Sequence, residues 1–272
     1  MADKDYLALA KKRAHRPSDV VGHRKILVYS RNKKGKTRFS TSAGIDETLV
    51  IDPEHGTDLM KHLDPFVWPV EKWEDIQEVY GALRTGKLSP NHIKQGESST
   101  PFTWVSVDGL TRMNNMALKY VMKVQEQRDL DRQPGFVQQR DYGKSGEMMK
   151  QLLTNFQTMH LNVCYTAQEK MITGAGGFDD DEDSGEDPEA YFVPDLPNAV
   201  RGAVNSLVEV IGRLYTVRLT KKDGVTEYMQ RRLQIGLHEK YDTGFRSDFR
   251  LPDVVKVPTL PKLVALMIEG ES

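Results

Sequence analysis

The sequence is poor in cysteine, has no long apolar stretch and carries almost no net charge. Its 272 residues include a single cysteine, Cys164, which excludes an internal disulfide and any zinc site built from several cysteines. No run of about 18 apolar residues occurs, so no membrane-spanning helix is expected. The charged amino-terminal stretch lacks the apolar segment of a secretory signal, and the seven histidines show no paired metal-ligand spacing. We therefore expect a cytoplasmic globular protein without a cysteine or histidine metal centre.

The charge is unevenly distributed although its sum is small. Lysine and arginine number 38 and aspartate and glutamate 39, which gives a formal net charge of -1. Residues 1–40 nevertheless hold twelve basic and three acidic side chains, whereas residues 178–190 hold eight acidic and no basic ones. This pattern predicts a surface that binds a polyanion and a separate solvated segment. For the basic end taken alone, an ordinary solvated face is the alternative.

Short apolar runs alternate with helical patterns along most of the chain. The runs typical of buried strands are 25–29, 48–52, 66–68, 102–107 and 160–167. The segments with helical spacing are 70–83, 110–130, 145–159 and 199–214. The segment Lys221-Lys222-Asp223-Gly224 lies between two further runs and indicates a hairpin. This alternation predicts an α/β fold, a mostly parallel sheet with helices on both faces and antiparallel strands added at one edge.

Composition divides the chain into three parts. Residues 1–24 are a polar, basic lead-in, residues 25–258 form the α/β core, and residues 259–272 are a carboxyl-terminal tail. Within the core, residues 174–190 are rich in glycine and acidic side chains, so we expect this segment to be a disordered loop.

The segment from Ser30 to Thr37 is similar to a phosphate-binding loop. Such a loop reads G-x-x-x-x-G-K-[ST] between a strand and a helix: its amides surround the phosphates, the lysine reaches the β and γ oxygens, and the hydroxyl binds Mg²⁺. Gly35-Lys36-Thr37 follows an apolar run here, but a serine replaces the first glycine. A basic surface turn is the alternative. The candidate nucleotide-binding residues are Ser30, Arg31, Asn32, Lys33, Lys34, Gly35, Lys36, Thr37 and Arg38.

Three further polar residues stand where apolar runs end, and ligands of parallel sheets bind at the carboxyl ends of the strands. Asp108 is a candidate for the Mg²⁺ site together with Thr37, or a cap of the following helix. Glu54 is a candidate to polarise the water that attacks a γ-phosphate, with an ordinary loop acid as the alternative. Gln168 is a candidate sensor of that phosphate, with a capping amide as the alternative.

These residues, in this order, resemble the RecA-like phosphate-loop ATPases. Ile51-Asp52-Pro53-Glu54-His55 is similar to the segment with the catalytic glutamate, Val105-Ser106-Val107-Asp108 to the metal-binding strand, and Gln168 to the glutamine switch before a DNA-binding loop. More narrowly, the chain resembles the small phage-encoded ATPases of single-strand annealing. That resemblance is carried by Asp141-Tyr142-Gly143, Thr166-Ala167 and the late Lys240, Arg246 and Leu251-Pro252, and it covers roughly residues 22–258.

The resemblance implies an ATPase with ATP and Mg²⁺ as cofactors, acting in the host cytoplasm. It implies catalytic roles for Lys36, Glu54 and Gln168. It also implies that Lys240 and Arg246 reach the ATP of a neighbouring subunit in a ring or filament, with a solvated basic turn as the alternative. Binding of single-stranded DNA, annealing or strand pairing in DNA recombination, and a single-strand-binding protein as partner are implied as well.

Two regions are candidate DNA contacts. Residues 111–144 interleave basic with aromatic side chains, as single-strand binders do, with helix surface or core as the alternative. Lys170 is a candidate in the long 169–195 segment, whose run Asp179–Asp183 would repel phosphate. That run is interpreted as a solvated spacer, or as a segment that occupies the DNA groove when DNA is absent. The candidates in the first region are Arg128, Arg132, Arg140 and Lys144.

Two other functions stay open. One is a phosphate-loop kinase unrelated to DNA, which would need an acceptor pocket and lid arginines, and Glu54 and Gln168 argue against it. The other is an ATP-binding structural or assembly protein with little turnover. The serine at position 30, where the loop motif has glycine, keeps that second function open.

Overall fold

A computed structural model gives the structure of the chain and describes residues 6–14, 16, 22–93, 96–129, 131–173, 190–222 and 224–270. The strands are β1 (Lys25–Ser30), β2 (Thr48–Asp52), β3 (Phe66–Pro69), β4 (Trp104–Asp108), β5 (Asn162–Ile172), β6 (Tyr191–Pro194), β7 (Val210–Thr220), β8 (Glu227–Gln234), β9 (Gly244–Phe245) and β10 (Val254–Lys256). The helices are α1 (Tyr6–Arg13), α2 (Lys36–Ser40), α3 (Trp73–Arg84), α4 (Leu110–Arg128), α5 (Gln139–Gln157), α6 (Asn198–Leu207) and α7 (Leu260–Glu269), and short 3-10 helices span Gly56–Met60 and Pro90–His92.

Within the described residues the strands form one sheet in the order β10-β8-β7-β1-β5-β4-β2-β3, with β6 beside β5 and β9 beside β7. The run from β7 to β3 is parallel. The strands β8, β9 and β10 pair antiparallel at the β7 edge. The α/β fold class expected from the sequence, a mostly parallel sheet with antiparallel strands at one edge, is thereby confirmed.

The core lies on both faces of the sheet. Successive side chains of β1 point to opposite faces. Leu27 and Tyr29 therefore join the cluster under α3, α4, α5 and α6, whereas Ile26 and Val28 join the cluster under α2 and α7. Because helices cover both faces, the parallel strands read as continuous apolar runs rather than alternating ones. Both faces of β1, the strand that precedes the phosphate-type loop, are therefore packed against helices.

Helix boundaries differ from the expected ones where backbone partners compete. The helix expected over 70–83 begins at Trp73, because the Asp75 carboxylate accepts the Lys72 N–H (3.0 Å) and caps the first turn. The prediction of a helix over 199–214 is wrong for the second half of that range. It ends at Leu207, and Val210 starts β7, because this stretch pairs in parallel with β1.

The carboxyl-terminal segment contributes to the core. Residues 259–272 were expected to be a tail, but they contain α7, whose Leu260, Leu263 and Met267 are buried. The Thr259 side chain caps this helix by accepting the Lys262 N–H (3.3 Å). Most of the acidic segment 174–190, expected to be disordered, lies outside the described residues. No helix of the described chain is long and apolar enough to cross a bilayer.

A buried ion pair closes the hairpin of α4 and α5. Arg132 donates from Nη1 to Asp141 Oδ1 (3.1 Å) and from Nη2 to Asp141 Oδ2 (2.5 Å), and neither side chain is exposed. Nη2 also donates to the Phe136 carbonyl (2.9 Å). The guanidinium holds the pKa of the Asp141 carboxyl below its usual value. The prediction that Arg132 contacts DNA is therefore wrong, since its donors face a buried carboxylate.

We expect Arg132→Ala to destabilise the protein, because it leaves the Asp141 carboxylate buried without its partner. Arg140→Ala is the matched control: its pair with Asp129 (3.2 Å) is half exposed, and such pairs contribute at most about 1 kcal/mol. Urea unfolding measures both variants. The Arg132 change should lower the free energy of unfolding several times more than the Arg140 change. Equally small effects would contradict the structural role.

Candidate active site

The loop between β1 and α2 has the backbone of an anion-binding loop. Lys33 (φ 62°) and Gly35 (φ 91°) lie in the left-handed region, and such conformations turn successive amides toward one concavity. Gly35 is required for space as well, because a Cβ there would lie 2.8 Å from Arg231 Nε. Ser30, which replaces the expected glycine, is the fully buried last residue of β1 and donates its hydroxyl to the Arg31 carbonyl (2.8 Å). The serine is therefore accommodated as part of the strand.

Lys36 folds back over its own loop. Its ammonium donates to the Ser30 carbonyl (3.3 Å) and to Gln168 Oε1 (3.3 Å). Burial lowers the pKa of Lys36, while the nearby carboxylates of Glu54, Asp108 and Glu169 act in the opposite direction. A partly buried cation beside loop amides favours an anionic ligand such as phosphate.

Asp108 is a buried carboxylate held by two hydroxyl groups. Its Oδ2 accepts from Thr37 Oγ1 (2.5 Å) and its Oδ1 from Thr166 Oγ1 (2.6 Å). Burial raises the pKa of the Asp108 carboxyl, and these hydroxyl groups only partly oppose that rise. A cation would compensate the buried charge.

The oxygen donors of Thr37 and Asp108 fit Mg²⁺, which prefers oxygen ligands and keeps several waters. No group of three or more histidine, cysteine, aspartate or glutamate side chains that could hold a metal occurs in the described part of the chain. A magnesium ion at this place would therefore take its other ligands from water and from phosphate oxygens.

Asp52 fixes the loop that carries Glu54, and the sequence analysis did not single it out. Its Oδ1 accepts the backbone N–H groups of Glu54 (3.1 Å) and Gly56 (3.2 Å). Its Oδ2 accepts the N–H (3.0 Å) and the hydroxyl (2.5 Å) of Thr57. An aspartate that folds the backbone after it in this way is a recognisable turn signal, so the Asp52-Pro53 sequence could have indicated it.

Glu54 points toward the glutamine of β5. Gln168 Nε2 donates to both Glu54 oxygens, at 3.4 and 3.5 Å. Burial raises the pKa of Glu54, and Asp108 acts in the same direction. Gly109 (φ 130°) leaves the space that this side chain fills, because a Cβ there would lie 2.9 Å from Glu54 Cγ. The left-handed backbone and the close approach together require glycine directly after Asp108.

Gln168 connects the site to the neighbouring helix. Its amide lies between the Lys36 ammonium and the Glu54 carboxylate. Its backbone N–H donates to Thr111 Oγ1 (3.1 Å), and the Thr111 hydroxyl donates to the Asp195 carbonyl (3.0 Å). A movement of this glutamine would therefore change hydrogen bonds in the first turn of α4 and just after β6.

Glu169 and Arg213 are a charged pair that the sequence analysis missed. The Glu169 carboxylate is almost fully buried and accepts from Arg31 Nε (3.1 Å) and Arg213 Nε (2.6 Å). Arg213 also lies over the Tyr241 ring, 4.1 Å from its centroid. No local pattern marks these residues, because only the pairing of β7 with β1, which sets Arg213 opposite Tyr29, brings them to the loop.

Five predicted residues meet at the carboxyl edge of the sheet, where the parallel strands end: Lys36, Thr37, Glu54, Asp108 and Gln168. Arg246 does not join them. Its backbone N–H donates to the Glu209 carbonyl (2.7 Å), just before β7 begins. Arg246 therefore lies where the parallel strands start, at the end of the sheet opposite to the cluster. Lys240 is exposed on the turn after β8, where its carbonyl accepts the Phe192 N–H (2.9 Å).

The remaining predicted residues lie on the surface around this cluster. In the loop, Arg31, Asn32 and Lys33 are exposed, and Lys34 donates to Thr216 Oγ1 (3.3 Å). Arg38, on α2, is exposed as well. The DNA candidates Arg128, Arg140 and Lys144 are exposed near the tip of the α4–α5 hairpin. With a rise of 1.5 Å per residue, Arg128 lies about 27 Å from the start of α4. Lys170 lies on β5, two residues past Gln168, so the DNA candidates occupy two separate surfaces.

The fold and the residues at its carboxyl edge define a phosphate-loop ATPase domain. A family model described as AAA domain matches residues 23–247, and the chain belongs to that family. Among solved structures, the KaiC-like protein of the hyperthermophilic archaeon Pyrococcus horikoshii is similar over 86% of this chain and 89% of that chain, with 9% identity and a TM-score of 0.40. No curated protein matches the sequence.

Proposed function

We propose that this protein binds ATP with Mg²⁺, hydrolyses it, and uses that activity on single-stranded DNA to promote annealing or strand pairing in phage recombination. The observation that carries the ATPase part is the convergence of Lys36, Thr37, Glu54, Asp108 and Gln168 from four separate elements at one sheet edge. A single-strand-binding protein is the further partner proposed.

The geometry supports distinct roles for these side chains. The loop amides and the Lys36 ammonium bind the β- and γ-phosphates. Thr37 and Asp108 would hold Mg²⁺, which when bound neutralises charge on the phosphate oxygens. Glu54 accepts the proton of the attacking water, and burial makes it a stronger base than an ordinary glutamate. Gln168 contacts both Lys36 and Glu54, so it is placed to orient that water against the γ-phosphate.

Two substitutions separate binding from hydrolysis. We expect Lys36→Ala to abolish tight ATP binding, because it removes the main positive charge on the β- and γ-phosphates. Glu54→Gln should bind ATP normally but turn it over about 10²-fold more slowly, the scale of general-base loss. Calorimetry measures the binding and phosphate release the turnover. Glu78→Gln, an exposed glutamate on α3, is the matched control and should behave as the wild type.

A pH profile adds a second readout of the same role. Glu54 must be ionised to accept a proton and its pKa is raised, so turnover should fall on acidification at a pH above 4.5, the ordinary value. Wild-type turnover in Glu54→Gln would remove the glutamate from the mechanism. ATP binding without turnover in the wild-type protein would instead favour an assembly protein.

A polar cleft beside Gln168 supports the DNA part of the proposal. It encloses about 220 Å³ between the first turns of α4 and α6, and its lining includes Asn115, Lys170 and Arg201. Thr111, which accepts the Gln168 N–H, lines the same cleft. Two cations and several amides suit a nucleic acid backbone. This proximity supports the proposal that DNA contact in the cleft is coupled to Gln168.

The cleft and the hairpin tip can be compared as DNA contacts. We expect Lys170→Ala with Arg201→Ala to reduce DNA-stimulated ATP turnover and to flatten the salt dependence of single-strand binding by about 1.4 units, because each phosphate contact adds about 0.7. Arg128→Ala with Arg140→Ala should flatten the slope without affecting the stimulation. Fluorescence anisotropy and phosphate release measure these effects.

Lys61→Ala with Lys87→Ala removes two exposed lysines elsewhere and controls for net charge. Unchanged DNA affinity and stimulation in both test variants would exclude these contacts. A wild-type protein that binds no single-stranded DNA would overturn the DNA part and leave the ATPase part standing.

We propose further that ATP lies between subunits of a ring or filament. Arg246 supports this arrangement, because β1 with its six residues separates it by about 20 Å from its own phosphate loop. Lys240 is exposed on the turn that precedes it. Basic residues that reach a neighbour's ATP stabilise charge on the transferring phosphoryl group.

Mixed assemblies separate a shared site from a closed one. Lys36→Ala subunits lack a functional loop and Arg246→Ala subunits lack the proposed neighbour contact. A mixture should regain part of the ATPase activity, because some interfaces then combine an intact loop with an intact Arg246. Turnover is measured in mixtures shown by light scattering to co-assemble. Absence of any rescue in such mixtures would place the whole site within one chain.

A further inference from the structure

A second cleft, of about 610 Å³, adjoins the phosphate loop on the side away from the catalytic cluster. The cluster draws Gln168, Asp108 and Glu54 from β5, β4 and the end of β2, all on one side of β1. The cleft lies on the other side of β1, toward β7 and β8. Its walls are formed by the loop and α2 and by the β7–β8 hairpin, and include Lys33, Lys34, Arg38, Thr216, Met229 and Arg231.

The direction of a bound triphosphate follows from this layout. The γ-phosphate belongs beside Glu54 and Gln168, where water would be activated. A triphosphate is a linear chain, so its α-phosphate and whatever it carries must leave the loop away from that cluster. The side that remains is the β7–β8 side, where the cleft lies.

We propose that this cleft holds the nucleoside of the bound nucleotide, with Met229 packed on the base and with Arg38 and Arg231 at the α-phosphate. The inference rests on the proposed function, because it assigns the rest of the same ligand's site. Its volume is in the range of pockets that enclose small molecules, about 300–1,000 Å³.

The charge of the cleft suits the α-phosphate. Four of its lining residues are basic and none is acidic. The Arg231 side chain lies directly over Gly35 of the loop. Burial lowers the pKa of Arg231, and the nearby Arg38 guanidinium lowers it further. Two like charges beside the same loop repel each other, and an anion between them relieves that repulsion.

The register of the hairpin shows which side chains face the loop. Thr216 pairs with Arg231 and Arg218 with Met229, and cross-strand partners share a face. That face is the one toward the loop, because Lys34 bonds Thr216 and Arg231 covers Gly35. Met229 is 58% exposed there, so a polarizable apolar side chain borders open space where a planar base can pack.

The backbone of β8 offers hydrogen bonds to the same base. The Val257 N–H donates to the Arg231 carbonyl (3.0 Å), so the Arg231 backbone faces away from β7. Backbone groups two residues apart in a strand point to the same side, so those of Met229 face that edge as well. In the described chain the pairing of β10 with this edge ends at Lys256 and Arg232, and the Val257 bond to Arg231 lies one residue beyond it. A donor and an acceptor therefore face the cleft edge next to the Met229 side chain.

Titration with ATP and with inorganic tripolyphosphate separates nucleoside contacts from phosphate contacts. With Mg²⁺ present, the wild-type chain should bind ATP more tightly than tripolyphosphate. Met229→Ala should weaken ATP binding about 5- to 10-fold, the effect of losing roughly 50 Å² of apolar contact, and leave tripolyphosphate binding unchanged. Arg231→Ala should weaken the binding of both ligands, because it removes a charge at the third phosphate.

Met171→Ala is the matched control, since this methionine is 54% exposed and lies on β5 outside the cleft. It should bind both ligands as the wild type does. Equal losses for ATP and tripolyphosphate in Met229→Ala, or no loss for either, would overturn the nucleoside assignment while the phosphate-loop site stands. A wild-type chain that binds neither ligand would overturn the proposed function as well.

Discussion

Parallel pairing of β1 between β5 and β7 is the constraint on which the rest of the structure depends. All six residues of β1 are buried, so a shift of register would disrupt packing on both faces of the sheet at once. The pairing sets Ser30 opposite Gln168 and Tyr29 opposite Arg213. The position of the loop, of the amide that meets it and of the arginine beside it all follow from that register. Functional side chains from distant parts of the chain are thereby brought together where the parallel strands end.

Buried charged side chains are paired in the core but are not fully compensated at the carboxyl edge of the sheet. Arg132 and Asp141 neutralise each other inside the α4–α5 hairpin, and the pair lowers the pKa of the carboxyl. At the edge, burial raises the pKa of Asp108 and Glu54 and lowers that of Lys36, so each charged form is disfavoured where it stands. A cation beside the carboxylates and a polyanion over the loop would compensate these groups, which is the balance expected of a site made for a metal-bound phosphate ligand.

The main residues of the site could be predicted from the sequence, because each is marked by the residues next to it in the chain. Gly35-Lys36-Thr37 needs only a strand before it, Asp108 directly follows an apolar run, and Glu54 lies two residues past the end of another. The misreadings concerned residues whose role depends on distant partners. Arg132 has the sequence surroundings of a DNA contact, yet its guanidinium is buried against Asp141, nine residues away. Asp52 was passed over in favour of Glu54, although four hydrogen bonds make it the residue that shapes the loop.

The sequence by itself determined the α/β class, the mostly parallel sheet and the identity of the loop, because hydrophobic periodicity and short motifs are properties of neighbouring residues. Tertiary structure alone decided which strands are neighbours. Strand order joins Glu169 of β5 to Arg213 of β7 across β1, and it sets Met229 and Arg231 of β8 facing the far side of the loop. Such contacts join residues tens of positions apart through backbone register. No window along the chain contains them, since register is fixed by the burial of strand faces against distant parts of the chain.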